Sequence, residues 1–191
     1  RGIVYGTTSQ GDPGNVAPAV SGYDSYEEEA GSFGTGAFTG ALTSLEPKTT
    51  YYVRAYAHNS AGYSYGAEVS LTTLAAVPTV TTDPASNIEP TTVTLNGTLD
   101  YDGGVACDCG FEYGETTDYG TTTDTESKTT GETFSQGLLG LKSGTVYHFR
   151  AIATNSAGTS YGADRTFHTE ALSAAAHQAL GKGYPLGRAE V

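Results

Sequence analysis

The chain has 191 residues, of which 26 are Gly and 14 are Tyr, and it contains neither Met nor Trp. Its net charge of −12, with only nine Lys and Arg residues, argues against nucleic acid as a partner, because phosphate contacts require clustered cations. No apolar run reaches the roughly 18 residues that a membrane-spanning helix requires, so membrane insertion is not expected. The abundance of Gly, Thr and Tyr favours all-β modules with many turns.

Residues 1–75 are predicted to form a partial β-module. Alternation of apolar and polar residues predicts strands at residues 3–5, 38–42, 51–57 and 65–72. The stretch 11–31 is rich in Gly, Pro and Asn and is predicted to be a loop. Long loops on a rigid scaffold often carry binding function, whereas a tolerated insertion is the simpler interpretation.

The chain contains an internal repeat. The sequence TTYYVRAYAHNSAGYSYGA at 49–67 recurs as TVYHFRAIATNSAGTSYGA at 145–163, and residues 1–6 match 109–114. Two copies indicate two tandem modules, each with a strand, a turn and a return strand. The first module is therefore expected to begin at its third strand. Residues upstream in a longer polypeptide, or a strand lent by another subunit, are then expected to cover its open half.

The second module is predicted to be complete, at residues 76–169. Its strands are expected at 79–82, 92–99, 105–113, 133–138, 146–154 and 161–168. The tail, 170–191, differs in character, because residues 171–180 are Ala-rich with the spacing of a short helix. A helix of this length is stable in water only if it docks on something. We therefore expect either contact with a neighbouring subunit or a partly disordered end.

The period of two along one strand of each module predicts which side chains face the core. The predicted core positions are Tyr51, Val53, Ala55 and Ala57 in the first module, and Tyr147, Phe149, Ala151 and Ala153 in the second. The alternate positions, predicted to face outward, are Tyr52, Arg54, Tyr56 and His58 in the first module, and His148, Arg150, Ile152 and Thr154 in the second. Both arginines are expected to stack on neighbouring side chains of the outer sheet face.

In both copies a Leu stands six residues before a Tyr: Leu45 before Tyr51, and Leu141 before Tyr147. This spacing is typical of the tyrosine corner. With the Arg-Ala-x-Ala-x-Asn-Ser-Ala-Gly sequence that follows, it resembles the fibronectin type III family, in the form common in bacterial, archaeal and phage surface proteins, over about residues 1–169. The resemblance implies an all-β fold of tandem Ig-like or fibronectin type III β-sandwiches, the first lacking strands A and B, with a short C-terminal helical tail.

The chain departs from that family in one visible way. Many such domains hold a core Trp in strand B, whereas this chain has none. Leu95 and Leu99 are expected to fill the space.

Cys107 and Cys109 are the only cysteines. Residues two apart on a strand point the same way, with Cα atoms about 6.6 to 7 Å apart, which is a poor distance for a disulfide. We interpret them as two small buried or half-buried thiols, with a strained bridge or a cross-link to another chain as the alternative. Two thiolates without a second Cys or His pair leave a zinc site incomplete.

The sequence contains no recognisable catalytic or cofactor motif. The four His residues are separated, and HExxH, GxSxG and Gly-rich phosphate loops are absent from the sequence. We therefore predict that the chain is not an enzyme and that it binds no cofactor or metal ion.

These observations predict a non-catalytic structural module of an extracellular or virion-borne fibre or filament, acting as a spacer or an assembly subunit. The expected location is extracellular, at the cell surface or at the virion surface. Other copies of the chain, or neighbouring surface or virion proteins, are the expected partners.

The alternative function is that of a carbohydrate- or surface-binding accessory module of a secreted enzyme or adhesin. Exposed tyrosines would then contact polysaccharide, and the candidates are Tyr23, Tyr26, Tyr52, Tyr56 and Tyr63. A flat exposed row of these rings would favour sugar binding, whereas burial against a neighbouring chain would favour assembly.

Overall fold

The computed structural model describes residues 1–172, and within that range the regular structure is β-strand apart from one short 3-10 helix. The chain divides into unit 1, from Arg1 to Ala76, and unit 2, which begins at Val77. The helix expected at 171–180, apart from its first two residues, and the rest of the tail to 191 lie outside the described residues.

Unit 1 is built around one antiparallel sheet of five strands. These are β1 (Gly2–Gly6), β2 (Ser25–Glu28), β3 (Thr50–Asn59), β4 (Gly62–Tyr65) and β5 (Val69–Thr72). The strand order is β2-β1-β3-β4, and β5 also pairs with β3. The 3-10 helix, Pro18–Val20, lies in the connection between β1 and β2.

Two sequence predictions for unit 1 are wrong. Residues 38–42 do not form a strand, because a β-ladder needs a partner and no second sheet is present within residues 1–76. The strand predicted at 65–72 is two strands, β4 and β5, because the chain leaves the ladder at Gly66. The sequence also did not predict β2, which lies inside the expected loop.

Unit 2 has two sheets. Its strands are β6 (Thr79–Ser86), β7 (Thr92–Tyr101), β8 (Cys107–Gly114), β9 (Thr121–Thr122), β10 (Glu126–Lys128), β11 (Thr133–Leu139), β12 (Val146–Asn155), β13 (Gly158–Tyr161) and β14 (Arg165–His168). One sheet has the order β10-β8-β12-β13, with β9 on β8 and β14 on β12, and the other has the order β11-β7-β6. Five predicted strands are confirmed to within a few residues, and the sixth, 161–168, divides at Gly162 as its counterpart does in unit 1.

The core of unit 2 lies between these two sheets. The predicted core positions of β12 are buried, and Leu95 and Leu99 are buried opposite them. Phe134 of β11 pairs with Gly97 of β7, and a Cβ atom at Gly97 would lie 2.7 Å from the Phe134 ring. The Phe134 ring therefore shares with Leu95 and Leu99 the space along β7 that the two leucines were expected to fill.

Candidate functional site

One face of the unit 1 sheet, here called the inner face, carries apolar side chains. The antiparallel register sets Ile3 against Ala55, Tyr5 against Val53, and Leu71 against Tyr51, and paired residues project from the same face. The inner face consists of Ile3, Tyr5, Tyr51, Val53, Ala55, Ala57, Val69 and Leu71. It corresponds to the sheet surface that forms the core in unit 2.

The inner face is largely open to solvent. Leu71 is 41% exposed, whereas Phe167, at the same position in unit 2, is 5% exposed. Val69 is 60% exposed, and Ala55 and Ala57 are also exposed. The predicted burial of this face is therefore wrong for these alanines. The physical reason is that the β11-β7-β6 sheet, which covers the equivalent surface in unit 2, has no counterpart within residues 1–76.

Tyr51 is the buried exception on the inner face. Its ring lies 6.3 Å from that of Tyr5, and its hydroxyl accepts a hydrogen bond from the backbone N–H of Glu46 at 2.9 Å. In unit 2 the Tyr147 hydroxyl accepts one from the backbone N–H of Lys142 at 3.0 Å. Each bond spans five residues and fixes the chain entering the strand, which is the geometry of a tyrosine corner. Leu141 is buried and Leu45 is half-buried.

The opposite, outer face of the unit 1 sheet is covered by residues 7–24, here called the covering segment. Arg54 on β3 holds this segment through hydrogen bonds. Its Nε donates to the Tyr23 hydroxyl at 2.9 Å, and its Nη2 donates to the backbone carbonyl of Gln10 at 3.2 Å. The Tyr65 hydroxyl donates to the carbonyl of Val16 at 3.0 Å. The sequence placed Arg54 on this face correctly, but it gave no sign that Arg54 binds the inserted loop.

Glu68, between β4 and β5, is the second anchor of the covering segment. Its carboxylate accepts hydrogen bonds from the Ser9 hydroxyl at 2.6 Å, from the Gln10 backbone N–H at 2.9 Å and from the Tyr23 hydroxyl. These bonds lower the pKa of Glu68 to about 2, because they stabilise the ionised form. Burial, followed by the hydrogen bond to Glu68, raises the pKa of Tyr23.

The candidate tyrosines do not form a flat exposed row. Tyr56, expected on an exposed face, is only 2% exposed, because its ring packs over Gly2 and beside Tyr65, 5.8 Å between ring centroids. Tyr26 is exposed, whereas Tyr23, Tyr52 and Tyr63 are half-buried. Of the five candidates, Tyr56 and Tyr63 lie close together, with 6.4 Å between their ring centroids.

The Tyr56 hydroxyl has no hydrogen-bond partner among the residues that the structure describes. Burial raises the pKa of Tyr56 to about 12, and the nearby Glu28 carboxylate adds to this shift.

One sequence signal for a covered outer face was available. Val4 stands where the second copy has Glu112, and Val4 is buried.

An open groove of about 1180 Å³ lies at the end of the unit 1 sheet, lined by residues 28–36 and by the β3–β4 turn. The Arg1 guanidinium covers two of its aromatic rings, at 3.8 Å from the Phe33 centroid and 5.1 Å from the Phe38 centroid. On the other wall the His58 and Tyr63 rings lie 4.8 Å apart. The groove therefore combines aromatic surface with polar groups.

On the outer face of unit 2, Arg150 forms a cluster with Glu112, Tyr119 and Tyr161. Arg150 Nε donates to the Glu112 carboxylate at 2.8 Å, and its guanidinium lies over the rings of Tyr119 and Tyr161 at 4.6 and 3.9 Å. Arg150 thus stacks on its neighbours as expected. We interpret the cluster as a structural support of the sheet, because the Arg150 guanidinium is engaged by one carboxylate and two aromatic rings.

Cys107 and Cys109 are both free and buried on β8. Burial raises the pKa of both thiols, that of Cys109 to about 12. At neutral pH the thiol form therefore dominates, and the nucleophilic thiolate is scarce.

Among residues 1–172, no three His, Cys, Asp or Glu side chains lie close enough together to hold a metal ion. In the same range, no helix has the length and apolar character needed to cross a bilayer.

No protein-family model and no curated protein matches this sequence. Among solved structures, domains d3–d4 of the rat CD45 extracellular region are similar, with a TM-score of 0.54 and 17% identity over 75% of this chain and 76% of that one. The sensor domain of the anti-sigma factor RsgI4 of Pseudobacteroides cellulosolvens has a TM-score of 0.41 and 22% identity, covering 50% of this chain and 96% of that one. A fibronectin type III domain of the human KIAA0970 protein has a TM-score of 0.38 and 19% identity, covering 49% of this chain and 74% of that one.

The chain has a fibronectin type III-like fold. The sheet orders, the two tyrosine hydrogen bonds and the CD45 likeness agree on this assignment.

Proposed function

We propose that the chain is a non-catalytic structural module of an extracellular or virion-borne fibre or filament, in which the inner face of unit 1 is covered in the assembly. The observation that carries this proposal is the difference between the two units at equivalent positions. Leu71 is 41% exposed where Phe167 is 5% exposed. A sheet of this fold is stabilised by burying one face against a second sheet.

The apolar side chains of the inner face would stabilise an assembly if they were buried in it. Fully burying a Val or Leu side chain contributes about 1.5 to 3 kcal/mol. Val69 is 60% exposed and Leu71 is 41% exposed. Much of the free energy that burial of these two side chains could contribute is therefore not gained within residues 1–76. Large contiguous apolar patches on an exposed surface mark interaction sites. Covering the inner face would therefore stabilise an assembly by several kcal/mol.

The proposed extracellular location has separate support. The similar CD45 domains are part of an extracellular region. The acidic surface, with a net charge of −12, favours dispersal in solution over adsorption to anionic membranes or nucleic acid.

The experiment measures assembly of the full chain, expressed in its source host, by sedimentation and electron microscopy. We expect wild-type chain in sedimentable fibres or particles, and we expect Val69→Arg to reduce its incorporation at least tenfold. Leu139→Arg is the matched control, because Leu139 is an exposed leucine of unit 2, 81% exposed and outside the inner face. Equal incorporation of both variants, or wild-type chain found only as dispersed monomer, would overturn the proposal. Since Val69 is mostly exposed, its replacement leaves the isolated chain folded.

The groove of unit 1 favours a second candidate function, binding of polysaccharide. The lining of the groove includes the aromatic rings of Tyr63 and Phe33. Flat apolar rings of this kind offer a surface on which a sugar ring can stack. Affinity electrophoresis in gels containing polysaccharide tests this candidate. Retardation that is lost in Tyr63→Ala and kept in Tyr161→Ala would support it, because Tyr161 is an exposed tyrosine of unit 2. Unretarded migration in every polysaccharide gel would exclude the polysaccharides used.

A further inference from the structure

The Tyr56 hydroxyl is a buried polar group that the packing of unit 1 does not explain. Tyr56 is 2% exposed, and its hydroxyl has no hydrogen-bond partner among residues 1–172. Buried polar groups are nearly always hydrogen-bonded, and an exception points to a functional role or to an ion or water molecule at the site. The internal repeat places Ile152 at the same position of unit 2, so this sheet does not require a hydroxyl there.

Gly2 allows the Tyr56 ring to lie across β1 toward β2. Gly2 pairs with Tyr56 of β3 on one side and with Glu28 of β2 on the other, and paired residues project from the same face. A Cβ atom at Gly2 would lie 2.7 Å from Cζ of Tyr56, the carbon that carries the hydroxyl. The ring therefore spans the distance from β3 to β1 and directs its hydroxyl toward Glu28.

Two further side chains with metal-binding atoms lie at this point. His58 Nε2 is 3.5 Å from a carboxylate oxygen of Glu28, which is longer than a good hydrogen bond of about 2.7 to 3.2 Å. His58 projects from the same face of β3 as Tyr56. After burial, the Glu28 carboxylate is the largest contribution to the raised pKa of Tyr56. The side chains of His58 and Glu28 are 40% and 44% exposed, so an ion can enter from solvent.

We propose that Tyr56, Glu28 and His58 form a binding site for a ferric ion on the outer face of unit 1, above Gly2. The phenol and the carboxylate supply oxygen ligands, the imidazole supplies a nitrogen ligand, and water completes the coordination. The sequence predicts no metal ion, because common metal motifs consist of His, Cys and acidic residues. The proposal departs from that prediction by adding a phenol as the third ligand. It does not depend on the proposed assembly function, because the inner face lies on the other side of the sheet.

The phenol determines the class of metal ion. The pKa of Tyr56 is raised to about 12, so the phenol is protonated at neutral pH. As the metal–oxygen bond forms, that proton passes to water, and a bound cation promotes this loss by its charge. Ca²⁺ and Mg²⁺ prefer carboxylate, carbonyl and water oxygens, and structural zinc sites use four nitrogen or sulfur ligands. A trivalent iron ion suits an anionic phenolate better, and tyrosine is an established ligand of protein-bound iron.

The ligand set is specific to unit 1. In the second copy of the repeat, Ile152 and Thr154 stand where unit 1 has Tyr56 and His58. Neither replacement supplies a phenol or an imidazole, and both copies nevertheless form the same pair of strands. A structural role shared by the two units therefore does not account for Tyr56 and His58.

The test titrates the full chain with Fe³⁺ supplied as its nitrilotriacetate complex, which keeps the ion soluble. Coordination of a phenolate to Fe³⁺ produces a charge-transfer band in the visible spectrum, and iron retained after gel filtration is counted per chain. The variants are Tyr56→Phe, Glu28→Gln and His58→Gln. Tyr161→Phe, at an exposed tyrosine of unit 2, is the matched control. Tyr26→Phe removes an exposed phenol of β2 and so separates its contribution from that of Tyr56.

We expect one ferric ion per wild-type chain and a visible band that Tyr56→Phe abolishes. Glu28→Gln and His58→Gln should each weaken binding at least tenfold, whereas Tyr161→Phe and Tyr26→Phe should change it less than twofold. Urea unfolding verifies that Tyr56→Phe is folded, and the two variants of exposed side chains give an independent test. No band in the wild-type chain, a band that survives Tyr56→Phe, or unchanged affinity in either Glu28→Gln or His58→Gln would overturn the inference. Loss of the band in Tyr26→Phe or Tyr161→Phe would overturn it as well.

Discussion

Arg54 holds Tyr23 through a hydrogen bond from its guanidinium Nε to the phenolic oxygen, 2.9 Å long. This contact joins the outer face of the unit 1 sheet to the covering segment, residues 7–24. The inserted segment is therefore part of the folded unit rather than a free loop. It leaves the inner face as the open surface of unit 1.

Arg54→Met should loosen the covering segment while preserving the sheet. The substitution removes donors to Tyr23, Gly66 and Gln10, and hydrogen bonds to charged groups contribute about 1.5 to 3 kcal/mol each. We expect the local opening free energy of the segment to fall by about 2 kcal/mol. Hydrogen exchange at the Ser21 amide, which donates to Pro18 within the segment, measures this. Arg150→Met in unit 2 is the control, and equal exchange at Ser21 in both variants would contradict the prediction.

The attachment of the covering segment should depend on acid pH through Glu68. The pKa of Glu68 is lowered from 4.5 to about 2 in the folded state. The ionised carboxylate therefore stabilises the folded state more than the protonated carboxyl does. The stabilisation is present in full above pH 4.5 and is lost as the pH falls through about 2. An NMR titration of the Gln10 amide should show a midpoint near 2, and Glu68→Gln should remove the transition. A midpoint near 4.5 would show that Glu68 does not hold the segment.

Two tyrosines of β3 should respond to loss of the hydroxyl with opposite signs. Tyr51→Phe removes the acceptor for the Glu46 N–H and should lower the free energy of unfolding by about 1 kcal/mol. Tyr56→Phe removes a buried hydroxyl with no partner among the described residues and should raise that free energy by about 1 kcal/mol. Urea unfolding followed by tyrosine fluorescence compares the two variants. Destabilisation by Tyr56→Phe would mean that its hydroxyl has a partner in solution.

Gly97→Ala should destabilise unit 2 through a clash with Phe134. The added Cβ would lie 2.7 Å from the ring, which is held by Phe111 at 5.0 Å between centroids. Overpacking of this kind costs about 1 to 3 kcal/mol. Gly137→Ala on β11 is the matched control, since a Cβ there meets no described atom within 4 Å, and its effect should stay within about 0.5 kcal/mol. Phe134→Leu should relieve most of the Gly97→Ala penalty in the double variant, and strict additivity would argue against the clash.

The sequence was most informative where both sheets of a sandwich are present. In unit 2 the period of two identified the buried side of β12, because each inward side chain packs against an opposing sheet. The same rule failed on β3, where Ala55 is exposed and Tyr56 is buried. Periodicity reports which residues share a face, but it does not report what covers that face.

The candidate site was harder to predict for the same reason. The role of Glu68 depends on contacts with Ser9, Gln10 and Tyr23, which lie 45 or more residues away in sequence. Residues 38–42 were predicted to be a strand from local alternation of apolar and polar residues. They lack one because strand formation also needs a partner. The one local sign of a covered outer face was the apolar Val4, which occupies in unit 1 the position that the charged Glu112 occupies in unit 2.

The central claim is that the inner face of unit 1 is covered in the native assembly. The most direct measurement is a cryo-electron microscopy reconstruction of the native assembly, examined at Phe38 and Leu71. The account predicts that polypeptide packs over Leu71 and the rest of the inner face in the assembly. A face that stays open to solvent throughout the assembly would contradict it.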